Sequence, residues 1–408
     1  METISGGVTA AMGFQAAGVY AGIKKQKQKK DMALVYSTVP AVAAGTFTTN
    51  VVKAAPVKWD MKLMKSGKKL QAMVINSGIA NACTGTKGDL DNETMAKAMA
   101  KELGIEVDSV LTASTGVIGR EMPMDAIVAG TALLKEALSD GIEAGHMAAE
   151  SIMTTDTISK ECAVTIELGG KTVTIGAMSK GSGMIHPNMA TMIGILTTDA
   201  AISKELLQEV ISESVQKSFN MISVDRDTST NDTYVALANG LAGNEEITTK
   251  NADYAKFFDA VKYVSTTLAK KMAGDGEGAS KLIEARVLNA ASYEDAVLLS
   301  KSIITSNLVK AAVFGNDANC GRFMCAMGYS GVQFNPDIVD LFFESSEGKI
   351  MVVENGIGLV FNEELATKIL SSKEVTVIAN MKAGQSTATA WGCDLTYDYV
   401  KINADYRS

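Results

Sequence analysis

Imidazole is almost missing from this chain. Only two of its 408 residues are histidines, His146 and His186. Schemes that pair a Ser or Cys nucleophile with a histidine base therefore have little to work with. His146 lies in a helix-like stretch four residues before Glu150 and reads as structural, which leaves His186 as the one candidate imidazole base. No HExxH or zinc-deaminase signature occurs, and soft ligands do not cluster as a catalytic zinc requires. The five cysteines (83, 162, 320, 325 and 393) include no CxxC. They read as reduced thiols of a cytosolic protein, buried as small apolar side chains, and Cys83 beside Asn81 and Thr84 falls under the same reading.

Proline is scarce too, with five residues and no Ser/Pro-rich linker, so no boundary between independently folding domains is visible. Long apolar runs are missing. Val8 to Ile23 is only mildly apolar, and its basic neighbours Lys24, Lys25, Lys27, Lys29 and Lys30 follow it, the reverse of a secretion signal. The lysine run reads as a solvated turn, and no segment offers the roughly 20 apolar residues of a membrane span. A net charge of -8 argues against nucleic acid or an anionic membrane as the main partner.

What is present is a regular alternation of β-branched runs, helical patterns and glycine turns. Strands are expected at 33–36, 72–76, 109–113, 163–168, 172–177, 234–238, 311–314 and 374–380, from short apolar runs bounded by turn residues. Helices are expected at 92–103, 124–139, 146–153, 204–218, 254–272, 292–302 and 362–371, the last opening on Asn362 as an N-cap. Gly169-Gly170 between two apolar runs signals a hairpin. Antiparallel pairing there argues against a doubly wound sheet and for a layered α+β fold.

Two loops invite chemistry. Gly274 to Lys281 is rich in glycine, but Ser280 stands where a phosphate loop has the glycine before its lysine, and Leu282 where it has Ser or Thr. No dinucleotide fingerprint follows a strand either. The second loop, Lys180 to Gly194, carries glycines, Pro187 and then Ala190-Thr191 at the entrance to the apolar run Ile193 to Leu196. Such a junction can hold a peptide bond under strain with a hydroxyl aimed at its own preceding carbonyl. Attack gives an N→O acyl shift, and hydrolysis frees an N-terminal Thr whose amine, with an ordinary pKa of about 7.7–8.0, can serve as a base without histidine. The residues alone leave a second reading open: a glycine-rich loop entering a buried strand.

The stretch resembles the cleavage motif of the ornithine acetyltransferase family, the bifunctional glutamate N-acetyltransferases of arginine biosynthesis. Further matches run in order along the whole chain. They are Gly13 to Val19, Phe47 to Asn50 with Lys53 to Val57, Asn76 to Gly85, Ser114 to Gly119, Asp227 to Asp232, the Glu277 loop, Phe314 to Asp317 and the ending Asn403 to Ser408. Departures are Ile79 where Asn is usual, Arg226 where Gly is usual, and Ala318 and Cys320 where Pro and Trp are common.

The resemblance implies an α+β fold, a layered αββα-type sandwich with a smaller C-terminal lobe, like that of self-cleaving aminopeptidases. It implies a cut between Ala190 and Thr191 into fragments 1–190 and 191–408 that fold as one unit and assemble as two of each. Thr191 is then both cleavage residue and acetyl acceptor, with Thr115 and Gly116 as the oxyanion hole. Thr157, Lys180, Thr191, Glu277, Asn403 and Ser408 are the implied substrate contacts. Lys180 suits an α-carboxylate, and Glu277 suits the cationic side chain of ornithine. The expected reaction is ping-pong transfer of acetyl from N-acetylornithine to glutamate in the cytoplasm, with no metal or other cofactor. Use of acetyl-CoA as a further donor stays open. Two rival readings remain: a self-cleaving aminopeptidase or amidase of related fold, and an uncut amino-acid-binding protein.

Overall fold

The structure is a computed structural model, and it describes residues 1–26, 29–186 and 192–405. Ala190, Thr191 and Ser408 lie outside the described residues. The first half contains β1 (Glu2–Ile4), β2 (Phe14–Val19), β3 (Met32–Phe47), α1 (Ala55–Ser66), β4 (Leu70–Ile79), α2 (Gly85–Leu103), β5 (Val110–Val117), α3 (Met124–Glu136), α4 (Ile142–Ser151), β6 (Lys160–Leu168) and β7 (Lys171–Lys180). Next come β8 (Ile193–Thr198), α5 (Lys204–Gln216), β9 (Ile222–Ser223), β10 (Thr233–Ala238) and α6 (Ala252–Gly274). The last third holds β11 (Leu282–Ala290), α7 (Tyr293–Thr305), α8 (Asn307–Phe314), α9 (Cys320–Gly328), β12 (Asp340–Ser345), β13 (Gly348–Glu354), β14 (Ile357–Gly358), α10 (Glu363–Leu370), β15 (Glu374–Asn380), β16 (Ser386–Cys393) and α11 (Tyr397–Asp405).

β3 organises the first part. Its N-terminal half pairs antiparallel with β2 and β4, as in Val35 opposite Ala16 and Met73. Its C-terminal half pairs with β10, as in Ala44 opposite Ala236. Between the halves the register breaks from Tyr36 to Ala41, around Pro40, which has no N–H to give a ladder. The strand thereby passes from one sheet layer (β2, β3, β4, β5) into another (β1, β6, β7, β8, β10, β3). Alternate side chains of the two layers meet in a shared core: Phe14, Val35, Met73 and Leu111 from one, Met178, Ile195 and Val235 from the other. The outer face of the first layer (Leu34, Val74) packs on Met95 and Met99 of α2 and Ile127 of α3. That of the second (Val164, Ile175, Leu196) packs on α5 and α6. These four layers are an αββα sandwich, a fold of the α+β class.

A smaller C-terminal lobe follows, a second sheet in the order β14-β13-β12-β15-β11-β16-β9, with α7 across β11 and β16 and α10 across β12 and β13. No separate core divides the lobe from the sandwich. Leu268 and Met272 of α6 share one cluster with Ile283, Ala285 and Ala390 of the second sheet. Within the sandwich, β8 lies between β7 and β10: Lys180 stands opposite Ile193, and Ile193 opposite Thr233.

Local signals read from the sequence hold at the hairpin and the caps. Gly169 and Gly170 take φ of +55° and +77° between β6 and β7, as a type I′ turn requires. Asn362 accepts the Leu365 N–H at 3.0 Å. One strand expectation is corrected: 311–314 is the end of α8, started by Ser306, whose hydroxyl accepts the Val309 N–H at 3.3 Å. A four-residue apolar run fits a buried helix face as well as a strand, and here the cap decides. The cysteine expectation is corrected in part. Cys162 and Cys393 are buried, whereas Cys83 and Cys325 are exposed and Cys320 is partly so. Cys83 sits in a left-handed turn (φ +58°) ahead of α2. On α9 the buried positions go to Phe323, Ala326 and Met327.

The shared core makes a testable claim about cooperativity. Phe257 of α6 is fully buried in it, so Phe257→Ala is expected to cost about 3–5 kcal/mol. Calorimetry should show the sandwich and the lobe melting together at a lower temperature. Two transitions, only one of them displaced, would contradict a common core.

Candidate active site

The ends of β4, β5 and β7 converge where the sandwich meets the C-terminal lobe. A cavity of about 110 Å³ opens there, lined by Thr115, Gly116, Thr154, Lys180, Glu277 and Asn403 among others. The structure thus brings together five of the residues singled out from the sequence. Gly116 closes β5 with a φ of +128°, and a Cβ there would come within 2.2 Å of the Gly78 carbonyl carbon. Only glycine lets β4 and β5 stay this close. Thr115 is buried beside it. Asn231 ties both strand ends, donating to Ala80 O at 2.6 Å and Ser114 O at 2.8 Å.

Lys180 is almost wholly buried. Its ammonium donates to Thr154 Oγ1 at 2.9 Å and lies 3.7 Å from Asp156 Oδ2. Burial pulls its pKa below the usual lysine range, and the Asp156 carboxylate opposes that pull. Asp156 feels the reverse balance. Burial acts to raise its pKa, but Lys180 and Lys160 outweigh it and hold the carboxyl well below the ordinary range. Asp156 also accepts the Gly181 N–H at 2.6 Å and the Thr154 N–H at 3.0 Å, so the carboxylate shapes the loop as well as charging it.

The same cavity is lined by Glu277, on the turn between α6 and β11. Its N–H reaches Ser182 O at 2.8 Å, and its Oε2 accepts from Asn403 Nδ2 at 2.8 Å. A side chain at Gly183 would strike the Glu277 carboxylate at 2.3–2.4 Å, so that glycine makes room for it. Asn403 belongs to α11, the last helix, which closes over the site by this bond.

Thr157 is placed differently. It is absent from the cavity lining; its N–H, at 3.1 Å, and its hydroxyl are given to Asp275. Its outer side faces a larger groove of about 930 Å³ that also receives Lys270, Lys281, Lys373 and Lys401. The loop that superficially suggested a phosphate site spends its Ser280 and Lys281 amides on the Asp394 carboxylate, at 2.8 and 3.0 Å. Among the described residues no group of three or more His, Cys, Asp or Glu could hold a metal ion.

The β8 end of the site is tightly specified. Met192 donates its N–H to the buried Asp232 carboxyl at 3.1 Å, and its carbonyl accepts the Thr233 N–H at 2.9 Å. Burial raises the Asp232 pKa well above the usual carboxyl range, against the opposing pull of its hydrogen bond from Met192. Sequence reading missed Asp156, Asn231 and Asp232 as site builders. The run Asp227 to Asp232 had been noticed, but nothing in one sequence showed that it returns to β4, β5 and β8.

The histidines divide as their surroundings dictate. His186 Nδ1 lies 3.2 Å from Ser223 Oγ, and burial drops its pKa to about 4, so the ring is neutral at physiological pH. His146 sits 2.9 Å from Glu161, whose hydrogen bond raises its pKa.

The chain matches the model of the ArgJ family over residues 15–408. It is 54% identical to the arginine biosynthesis bifunctional protein ArgJ of Symbiobacterium thermophilum over the full length of both chains. It is 50% identical to the protein of that name from Caldanaerobacter subterraneus subsp. tengcongensis, again over the full length of both. A crystal structure of the ArgJ protein of Bacillus halodurans aligns at 44% identity and a TM-score of 0.49, covering 52% of this chain and 97% of that one. The family model and the two full-length relatives define an acyltransferase class. The chain belongs to the ArgJ family and is an acyltransferase of arginine biosynthesis.

The imidazole assignments predict two separate titrations by NMR, with His186 near 4 and His146 above 6.5. The unfolded chain takes up the His186 proton first, so stability is lost as pH falls from 6.5 towards 4. A His186 midpoint near 6.5 would contradict its burial.

Proposed function

We propose that this protein moves the acetyl group of N-acetylornithine to glutamate through an ester on Thr191, after cutting itself between Ala190 and Thr191. In the cut, Thr191 Oγ attacks the Ala190 carbonyl, the C–N bond breaks to give an ester and a free Thr191 amine, and water then hydrolyses the ester to the Ala190 carboxylate and the Thr191 hydroxyl. That amine then takes the hydroxyl proton as Oγ attacks the acetyl carbonyl, and passes it to the leaving nitrogen of ornithine. The amine of glutamate attacks the ester in turn, and the proton returns to Oγ. The Thr115 hydroxyl and the Gly116 N–H stabilise the oxyanion in both halves, each such donor being worth roughly 2.7–4 kcal/mol.

One observation carries this reading: a small cavity lined by both Lys180 and Glu277 together with Thr115 and Gly116. Opposite charges in one lining suit an amino acid with an α-carboxylate and a cationic side chain. Lys180 stands in register with Ile193, two residues after Thr191. With its pKa lowered to about 4, His186 is a weak base, and the Thr191 amine takes that role. Fragments 1–190 and 191–408 remain one folded unit because β8 of the second is hydrogen-bonded to β7 of the first, and the mature enzyme contains two of each in the cytoplasm. Asn403, by holding Glu277, and Ser408 complete the substrate contacts, and Thr157 supports them from behind through its bonds to Asp275.

Turnover of N-acetylornithine with and without glutamate tests the reading. Glutamate-dependent loss of substrate is expected, whereas acetate release at the same rate without glutamate would favour a hydrolase. Glu277→Gln is expected to raise KM for N-acetylornithine roughly tenfold or more while leaving KM for glutamate unchanged or lower. An equal rise for both would place Glu277 elsewhere than at the ornithine side chain.

A further inference from the structure

Behind Lys180 runs a buried row of alternating charges. Lys160, fully buried at the start of β6, donates to Asp156 Oδ1 at 2.8 Å and to Asp275 Oδ2 at 2.6 Å. The order is Lys180, Asp156, Lys160, Asp275, and the formal charges cancel. Asp156 therefore has two lysines to choose between, and it sits 2.8 Å from Lys160 but 3.7 Å from Lys180. Asp275 ends α6 and holds Thr157, and the Glu277 turn begins just beyond it.

We infer that Lys160 is a positioning residue for substrate binding: by holding Asp156 as its own close partner, it keeps Lys180 out of a tight pair and available to a substrate carboxylate. A buried ammonium facing a single carboxylate would close onto it as a tight pair, and an incoming α-carboxylate would have to compete. An ammonium with no anion near it would shed its proton. Sharing Asp156 between two lysines avoids both outcomes. The Asp156 charge supports Lys180 from a distance, while the short contact goes to a residue that lies outside the cavity lining. The same lysine fixes Asp275, and through it the C-terminal end of α6, so the spacing between Lys180 and Glu277 is tied to one side chain. This inference rests on the reading that Lys180 takes the α-carboxylate common to both amino acids.

The test compares Lys160→Met with Lys180→Met in steady-state kinetics at neutral pH, using the whole self-processed protein and both substrates. With Lys160 removed, Asp156 is expected to close onto Lys180. KM for N-acetylornithine and for glutamate should then rise by a similar factor, about tenfold or more, with kcat per active site within about threefold. Merely structural damage would lower the yield of active sites and the melting temperature and leave both KM values alone, and that result would overturn the inference. If Lys180→Met itself leaves both KM values unchanged, the proposed role of Lys180 fails instead. Should Lys160→Met not fold, Lys160→Gln carries the same comparison with its amide donors kept. Failure of both variants to give folded protein would assign Lys160 to stability alone and refute the proposal.

Discussion

A lysine ammonium shut away from water must be matched by an anion at close range, and this site contains two such lysines. Lys180 and Lys160 are both buried, and Asp156 and Asp275 are buried with them. Taking any one of these four charges out of water costs several kcal/mol unless a partner is supplied. The four charges come from four different places: the segment before β6, the start of β6, the end of β7 and the C-terminal end of α6. None of these segments can move without exposing or orphaning a charge. The constraint explains how a cavity at the seam of two sheets keeps its shape although it is lined largely by loops.

The seam itself follows from β3 and β8. β3 changes layers at Pro40, which lets two sheets face each other without a separate connection. β8 is threaded between β7 and β10, with Met192 pinned by Asp232 and Thr233. A chain break just before β8 would leave the sandwich intact, because the strand is held from both sides. Fold and chemistry are linked here: β8, held from both sides, begins at Ile193, two residues after Thr191 in the chain.

Much of the fold was legible in the sequence. Wherever a turn signal bounded an apolar run, as at Gly169-Gly170, or a cap preceded one, as at Asn362, the element appeared. Other elements were not visible: α1, α9, α11, β2, β11, β12, β13 and β16 went unrecognised, and α8 was read as a strand although Ser306 caps it. Thr115, Gly116, Lys180, Glu277 and Asn403 were found through motif resemblance, and the cavity joins them. Asp156 and Lys160 were not found, because their importance is a matter of burial and of who shares which carboxylate. A single sequence shows neither, and Asp156 and Asp275, 119 positions apart, give no sign that they share a lysine. Thr157 shows the converse: the motif pointed to it, and the structure gives its polar groups to Asp275.

The account stands or falls on whether Thr191 Oγ carries the acetyl group. Intact-mass spectrometry after brief exposure to N-acetylornithine addresses this directly. The account predicts a 191–408 fragment heavier by one acetyl group, reverting when glutamate is added, and a Thr191→Val protein that is neither cut nor acetylated. Turnover by a protein that stays uncut, or acetylation confined to the 1–190 fragment, would contradict it.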